Sequence, residues 1–269
     1  MKMNIKELIK KIIPYRYYYP FMNLYRKRRA VKFFGNKFYC PICEQGFDKF
    51  YEFGFTNKVI EDYEIVGAGL NKNGSCPQCL SNDRERHLYL YIKEAHEYLF
   101  SESIYMLHIA PEKNLYELFK SNKNINYLTG GFDMQLAMEK IDITKISKKD
   151  NTFDFIICNH VLEHVPNDLD AIKELYRVLK KGGQAILQVP ISFKNKKTFE
   201  DNDIFDPSDR LKYFGQSDHV RIYGLDYFER LESVGFSVNI VDFQSTLSKT
   251  ELLKYSLVPQ EKIFLCKKN

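Results

Sequence analysis

Residues 153–164 read FDFIICNHVLEH, and where strand gives way to turn inside this stretch decides the fold. The first seven residues are mostly bulky and apolar, the pattern of a strand buried on both faces. The last five, His160 to His164, spell His-x-x-Glu-His. On a single helix that spacing would bring two imidazoles to one metal ion and a carboxylate to its bound water. With FDFIICN as strand, however, His160 stands at the carboxyl end and His164 lies about one turn further, across a strand-to-helix corner. The two histidines then share no helical face. Ligands of open α/β sheets bind beyond the carboxyl ends of strands, so the segment reads as a ligand-contacting edge.

The neighbouring sequence supports the strand and argues against the zinc-peptidase helix that the letters suggest. From residue 103 short apolar runs alternate with amphipathic helices: SIYMLHIA (103–110) as strand, KNLYELFKSN (113–122) as helix, INYLTG (125–130) as strand. A helix is expected from Asp168 to Lys180, with Leu169, Ile172, Leu175, Val178 and Leu179 on one side and Gly182 and Gly183 ending it. QAILQVP (184–190) follows as strand, then a helix in LDYFERLESVGF (225–236), then the strands SVNIVDF (237–243) and KIFLCK (262–267). Such alternation predicts an α/β fold, a parallel sheet with helices on both faces.

Upstream, four of the six cysteines form two identically spaced pairs, Cys40/Cys43 and Cys76/Cys79. Each C-x2-C turn aims two thiolates at one point, and two such turns complete a closed tetrahedral Zn2+ site. The long spacer between the pairs predicts an inserted strand pair around EFGFTNKVI (52–60) and YEIVGAGL (63–70). A redox dithiol is the alternative for either pair alone. Cys158 and Cys266 sit in apolar runs and read as buried small hydrophobes. After Cys79, Asn82 and Glu85 form a capping box for a helix whose face is Leu88, Ile92, Ala95 and Leu99. Arg84, Arg86 and His87 crowd its first turn, where positive charge is disfavoured. They call for an anionic partner or an internal salt bridge.

The formal charge of +5 is unevenly spread. Residues 1–37 hold eleven Lys or Arg and one acid, leaving 29 basic and 34 acidic residues beyond. Tyr15, Tyr17, Tyr18, Tyr19, Phe21, Tyr25, Phe33 and Phe34 are interleaved with that charge, and Ile5, Leu8, Ile9, Ile12 and Ile13 make a helical apolar stripe. Peripheral contact with an anionic membrane suits this arm better than nucleic acid does, and packing on the main domain is the structural alternative. No run of eighteen apolar residues and no signal-peptide core occur, so the expected compartment is the cytoplasm, with the arm at the inner membrane face. The expected layout is a basic aromatic arm (1–37), a zinc-ribbon-like module (38–81) and an α/β domain (82–269). A long cap is inserted at about 191–224, a length typical of lids, binding loops or disordered segments, and its mixture of aromatics and charges favours a partly ordered acceptor-binding cap.

SIYMLHIAPEKN, YLTGGFDM, IDIT, DNTFDFIICNHVLEHVPND and ELYRVLKKGGQAILQVP resemble the successive motifs of class I S-adenosylmethionine-dependent methyltransferases over residues 100–269. With the cysteine pairs, the RERH segment and GQSDHVRIYGLDYFERLESVGF, the chain resembles a bacterial subgroup associated with cell-surface polysaccharide genes. The resemblance implies a Rossmann-like seven-stranded sheet whose last strand, KIFLCK, is antiparallel. It implies S-adenosyl-L-methionine as cofactor, with Asp133 on the ribose hydroxyls, Asp142 near the adenine amino group and Ile143 against the ring. Asn159 and His160 would lie beside the reactive methyl. The family's first motif usually reads D/E-x-G-x-G, whereas LHIAPEKN has no glycine. His108 stands at the acid's position, Ala110 is small enough for close approach, and Glu112 can take the ammonium contact.

Methyl transfer needs mainly alignment and exclusion of water, and a base only for a poor nucleophile such as a sugar hydroxyl. Histidine suits that role near neutral pH. His160 and His219 are the catalytic candidates, with His164 beside them. For His219 a structural hydrogen bond inside the cap is the competing role. The expected function is O-methylation of a glycan or other small-molecule acceptor at the membrane face. An RNA methyltransferase gripping the backbone through arm and zinc module is the alternative, as is a non-catalytic scaffold of methyltransferase shape.

Overall fold

A computed structural model describes residues 15–132 and 135–269. The apolar stripe from Ile5 to Ile13 and the ribose candidate Asp133 therefore lie outside the described residues. Helix α1 (Tyr15–Ala30) leads into the cysteine module. There β1 (Phe34–Cys40) pairs antiparallel with β2 (Gln45–Phe47), and β3 (Tyr51–Phe53) with β5 (Asn71–Ser75).

Between β3 and β5 the expected strand pair is corrected. The Asn57 side chain accepts the Val59 N–H and starts a short helix, α2 (Lys58–Asp62). Strand β4 (Ile65–Val66) then leaves the module and pairs with β11 (Ile191–Ser192) in the cap. The turn back is tight. Gly54 sits at φ 103°, with the Gly69 carbonyl occupying the space a Cβ would need.

Helix α3 (Asp83–Ala95) begins with the expected Asn82/Glu85 capping box. Leu88 and Ile92 are buried on it, and Leu99 is buried in the short α4 (Tyr98–Ser101). Ala95 is exposed instead, because the helix ends there and Tyr91 and His96 fill the inner face.

The main sheet contains β6 (Ile104–Ile109), β7 (Ile125–Gly131), β8 (Glu139–Lys140), β9 (Phe153–Asn159), β10 (Leu179–Gln188), β14 (Phe236–Val241) and β15 (Ile263–Lys268). Their order is β14-β15-β10-β9-β6-β7-β8, and β15 alone runs antiparallel to its neighbours. Helices α5 (Lys113–Ser121), α6 (Asp168–Val178) and α8 (Asp226–Val234) connect strands, and α9 (Lys249–Tyr255) precedes β15. Strand β9 shows why the sheet is buried on both sides. Ile156 and Cys158 join the layer under α6 and α8, while Phe155 and Ile157 join the layer under α3 and α5. Burying side chains of this size stabilises by about 1.5–3 kcal/mol each. Cys266 is likewise buried in the first layer.

Two boundaries differ from expectation for packing reasons. Helix α6 stops at Val178, because Leu179 already pairs with Phe153 and starts β10. The chain then shifts register through Gly182, at φ 77°, before rejoining at Gln184. The cap is ordered: β12 (Phe199–Glu200) pairs with β13 (Arg221–Ile222), and α7 (Pro207–Phe214) lies between them. Buried Arg221 donates to the carbonyls of Leu162, Val165 and Pro166, and the Tyr223 hydroxyl donates to Asp168. Those bonds fasten the cap directly over the end of β9.

Candidate functional site

The floor of the site is the carboxyl edge of β6, β7 and β9. His108 is fully buried at the end of β6, with Nδ1 2.9 Å from the Tyr127 hydroxyl and Nε2 2.8 Å from Glu112 Oε2. Its ring has no open face, so its role is to hold Glu112. Asn159 donates to the other Glu112 oxygen at 3.0 Å. Burial alone would raise the Glu112 carboxyl, but the hydrogen bonds from His108 and Asn159 outweigh it and hold it below the ordinary range.

Asn159 is itself buried, and its Oδ1 has no partner. Ala110 is exposed at φ 47°, the left-handed region that the family's usual glycine would occupy without strain. Its N–H donates to the Gly130 carbonyl. A Cβ on Gly130 would run into Ile141, so the 141–143 segment packs directly on the end of β7. Asp142 is exposed there and accepts from Thr144, whose hydrogen bonds lower its carboxyl. Ile143 is buried in the core beneath.

His160 stands where β9 ends, at φ 53°, with its N–H bonded to the Gln188 carbonyl. No α-helix follows. Residues Leu162–His164 make one 3₁₀ turn, so the His-x-x-Glu-His letters lack the helix that the peptidase arrangement requires. The His160 ring meets Arg84, whose Nη1 lies 3.0 Å from Nδ1 and 2.6 Å from the Gly67 carbonyl. Burial, then the Arg84 charge, push His160 well below the usual histidine range, so the ring is neutral.

His160 lines a cleft of about 590 Å³. Its walls come from the cysteine-module insertion (Phe53 to Asn71), the start of α3 (Asp83, Arg84), the turn after β9 (Glu163, His164), the cap (Gln216, Asp218, His219) and the segment before β15 (Val258, Gln260, Glu261). Two of its carboxyls are buried with one oxygen unpartnered: burial raises Glu163 to about 8 and Glu261 to about 7. His219 is also buried and pushed down to about 4, by burial first and by His164 second. Among the described residues no hydrogen bond reaches the His219 ring, which meets the His164 ring edge-on, 4.8 Å between centroids.

Cleft-facing residues without a role in the sequence reading include Gly67, Asp218 and Glu261. Arg84 had a signal, its misplaced charge at a helix start. The RERH segment divides its labour. Arg84 serves the cleft; Arg86 is fully buried and donates to the carbonyls of Gly74, Ser81, Tyr255 and Ser256; His87 is buried against Phe243. The expected salt bridge is thus a clamp on backbone carbonyls.

The four module cysteines converge. Cys40 Sγ lies 3.5 Å from Cys79 Sγ, and Cys43 Sγ lies 3.7 Å from Cys76 Sγ. Thiolates on a tetrahedral ion at Zn–S of about 2.3 Å are separated by about 3.8 Å, so donor set and spacing are compatible with zinc.

Residues 94–187 match the family described as a methyltransferase domain. That segment runs from the end of α3 to β10 and includes the whole floor described above. The matched segment therefore spans the edge that holds Asn159 and His160. The chain is also 31% identical over 116 residues to an uncharacterized protein of Methanocaldococcus jannaschii; the match covers 42% of this chain and 48% of that protein, about half its length. Among solved structures it is similar to the [4+2]-cyclase SpnF (14% identity, 72% of this chain and 83% of that one, TM-score 0.48). It is also similar to an S-adenosylmethionine-dependent methyltransferase from Mesorhizobium loti (9%, 63% and 93%, TM-score 0.46) and a putative methyltransferase from Bacillus halodurans (18%, 66% and 92%, TM-score 0.41). Likenesses this distant add nothing to the sheet order already described.

Proposed function

We propose that the protein transfers the methyl group of S-adenosylmethionine to a hydroxyl of a glycan or other small polar acceptor held in the cleft above His160. One observation carries this reading: His160 both closes β9 beside Asn159 and forms the inner wall of the cleft. Cofactor on the floor and acceptor in the cleft would thus meet at one residue.

The floor fits the cofactor. Glu112 and the unpartnered Asn159 Oδ1 offer acceptors for its ammonium group, and Ala110 leaves room for backbone approach. Asp142, and Asp133 from the family resemblance, would hold the adenosine end. When bound, the cofactor supplies a methyl carbon already activated by positive sulfur. The protein's part is to align the acceptor, exclude water and take one proton. Neutral His160 would accept the hydroxyl proton as the O–CH3 bond forms and the S–CH3 bond breaks, its electron pair staying on sulfur, with Arg84 giving up the ring nitrogen it now meets. His219 stands in the same cleft as a second candidate.

The charge of the cleft favours a neutral acceptor over RNA. Even with Glu163 and Glu261 raised toward the neutral form by burial, three further carboxyl residues, Glu64, Asp83 and Asp218, face one guanidinium, Arg84. A polyanionic backbone would meet that acidic wall. The four-cysteine cluster, in this reading, holds structural zinc. Because β4 and the Gly67–Gly69 turn belong to the module's insertion, zinc would also brace a wall of the cleft. No helix among the described residues is long and apolar enough to cross a membrane. The basic arm, by its charge, suits peripheral contact with an anionic one.

The test is incubation of the zinc-loaded protein with methyl-labelled cofactor and fractionated cell extract. Label in polysaccharide or a small hydroxylated compound is expected. Label in RNA would move the reading to nucleic acid, and cofactor binding without any product would leave a scaffold. Absence of calorimetric cofactor binding at millimolar concentration overturns the enzyme reading. His160→Gln should lower turnover by about 10²–10⁴-fold while cofactor affinity holds.

A further inference from the structure

Glu163, His164 and His219 each offer one donor atom within 4.8 Å of the others, although 55 residues separate Glu163's turn from His219 in the cap. The backbone enforces the convergence: the Val220 N–H donates to the Glu163 carbonyl at 2.9 Å, which seats His219 beside the 3₁₀ turn. Glu163 is 2% exposed, and its Oε2 has no hydrogen-bond partner. Its Oε1 lies 3.9 Å from His164 Nε2 and 3.6 Å from His160 Nδ1, too far for a hydrogen bond in either case. A buried carboxylate surrounded by imidazoles it does not bond is costly unless something sits between them.

His164 is already turned for ligation. Its Nδ1 lies 3.1 Å from the Asp218 carbonyl and 3.4 Å from the Asp218 carboxylate, a placement that fixes the proton on Nδ1. The Nε2 lone pair then faces Glu163. Metal-bound histidines are oriented in this way, by a carbonyl or carboxylate on the far nitrogen. His219, buried and without a hydrogen bond among the described residues, supplies the third donor. Ligands about 2.0–2.1 Å from a tetrahedral ion lie about 3.3 Å apart, so small side-chain rotations close the present spacing.

We propose that Glu163, His164 and His219 form a second metal site, separate from the cysteine cluster, for a divalent first-row cation such as Zn2+, with its remaining positions open to the acceptor oxygen in the cleft. Two nitrogens and one carboxylate with an open position make a donor set of the catalytic kind, whereas four cysteines make a closed one. The assumed acceptor rests on the methyl-transfer reading above; the site itself does not. A cation there would polarise the acceptor hydroxyl and draw it toward His160.

The test titrates the full zinc-loaded chain with Co2+, reading visible d–d absorption that lacks the thiolate charge-transfer band. One further equivalent is expected in the natural protein. Glu163→Gln and His219→Ala should each weaken it by about tenfold or more. Both should retain one zinc per chain by mass spectrometry, which shows that the cysteine module stays folded. No further equivalent in the natural protein, or undiminished binding in the near-isosteric Glu163→Gln, overturns the site. Cofactor calorimetry on the same samples separates the two proposals: its failure would remove the methyl-transfer reading and leave the cobalt result standing.

Discussion

Around Phe155 and Ile156, apolar side chains from helices on both faces cover the sheet, whereas among the described residues the small cluster around Cys40 and Cys76 buries Ala30, Phe38, Phe47 and Phe50 with them. The sheet can be held by its own hydrophobic layers. The module is below the size at which such a core suffices, and a bound cation is the usual remedy. Yet it is the module, through residues 53–71, that supplies one wall of the cleft. The region with the larger apolar core therefore carries the floor of the site, and the region that the proposed zinc would cross-link shapes what can enter it.

The sharpest way to break this contrast is to remove the zinc proposed for the four cysteines. Structural zinc contributes about 10–16 kcal/mol to domains of this kind. Cys76→Ser or chelation should therefore unfold the module while the sheet persists. Limited proteolysis cutting within 34–80 with β6–β10 intact, and cofactor binding kept while acceptor turnover is lost, would bear this out. Simultaneous loss of both regions would mean that they fold as one unit.

Arg86 joins the two regions by its four backbone acceptors from β5, the second cysteine turn and the end of α9. Arg86→Met leaves those carbonyls without a donor and should cost about 3–5 kcal/mol in denaturant unfolding. A loss under 1 kcal/mol would show that water replaces the clamp.

Two buried groups on α3 give the next effect, with opposite signs. Burial raises Glu85 from 4.5 to about 7, so its contribution is fully present below about pH 4.5 and is lost as the pH rises through about 7. Burial lowers His87 from 6.5 to about 4, so its contribution is present above about pH 6.5 and is lost as the pH falls through about 4. Relative to Glu85→Gln the natural protein should weaken toward pH 8. Relative to His87→Phe it should weaken toward pH 4. Each change should be about 2–3 kcal/mol by denaturant titration across pH.

The smallest effect falls on the join between insertion and cap. Asn57 starts α2 and donates to the carbonyls of Leu211 and Gly215. Asn57→Ala should cost about 1 kcal/mol and raise the acceptor KM without changing cofactor affinity. An unchanged KM would detach the insertion from acceptor binding.

The residues differ in how openly they announced these roles. Strand β9, the capping box at Asn82 and Glu85 and the paired cysteines were legible because each depends on near neighbours. Burial of every residue along a strand, a carboxylate three positions after a cap and two thiols on one tight turn are local patterns. Arg84 and Arg86 were legible only as an anomaly, since their acceptors at Gly67, Gly74 and Tyr255 are distant in sequence. Ala95 and the end of α6 were misjudged where a neighbouring strand or helix end claimed the position first. Asp133 falls outside the described residues, so its expected role stands on the motif resemblance.

The chain's own order of residues determined the alternation of strands and helices and the existence of two thiol turns, because backbone geometry and side-chain periodicity act over a few positions. Only the folded arrangement decided that His160 faces Arg84, that the insertion at 53–71 walls the cleft, and that Glu163 and His164 meet His219. Those meetings depend on strand order and on the cap's path across the sheet, which bring together side chains that no local spacing relates.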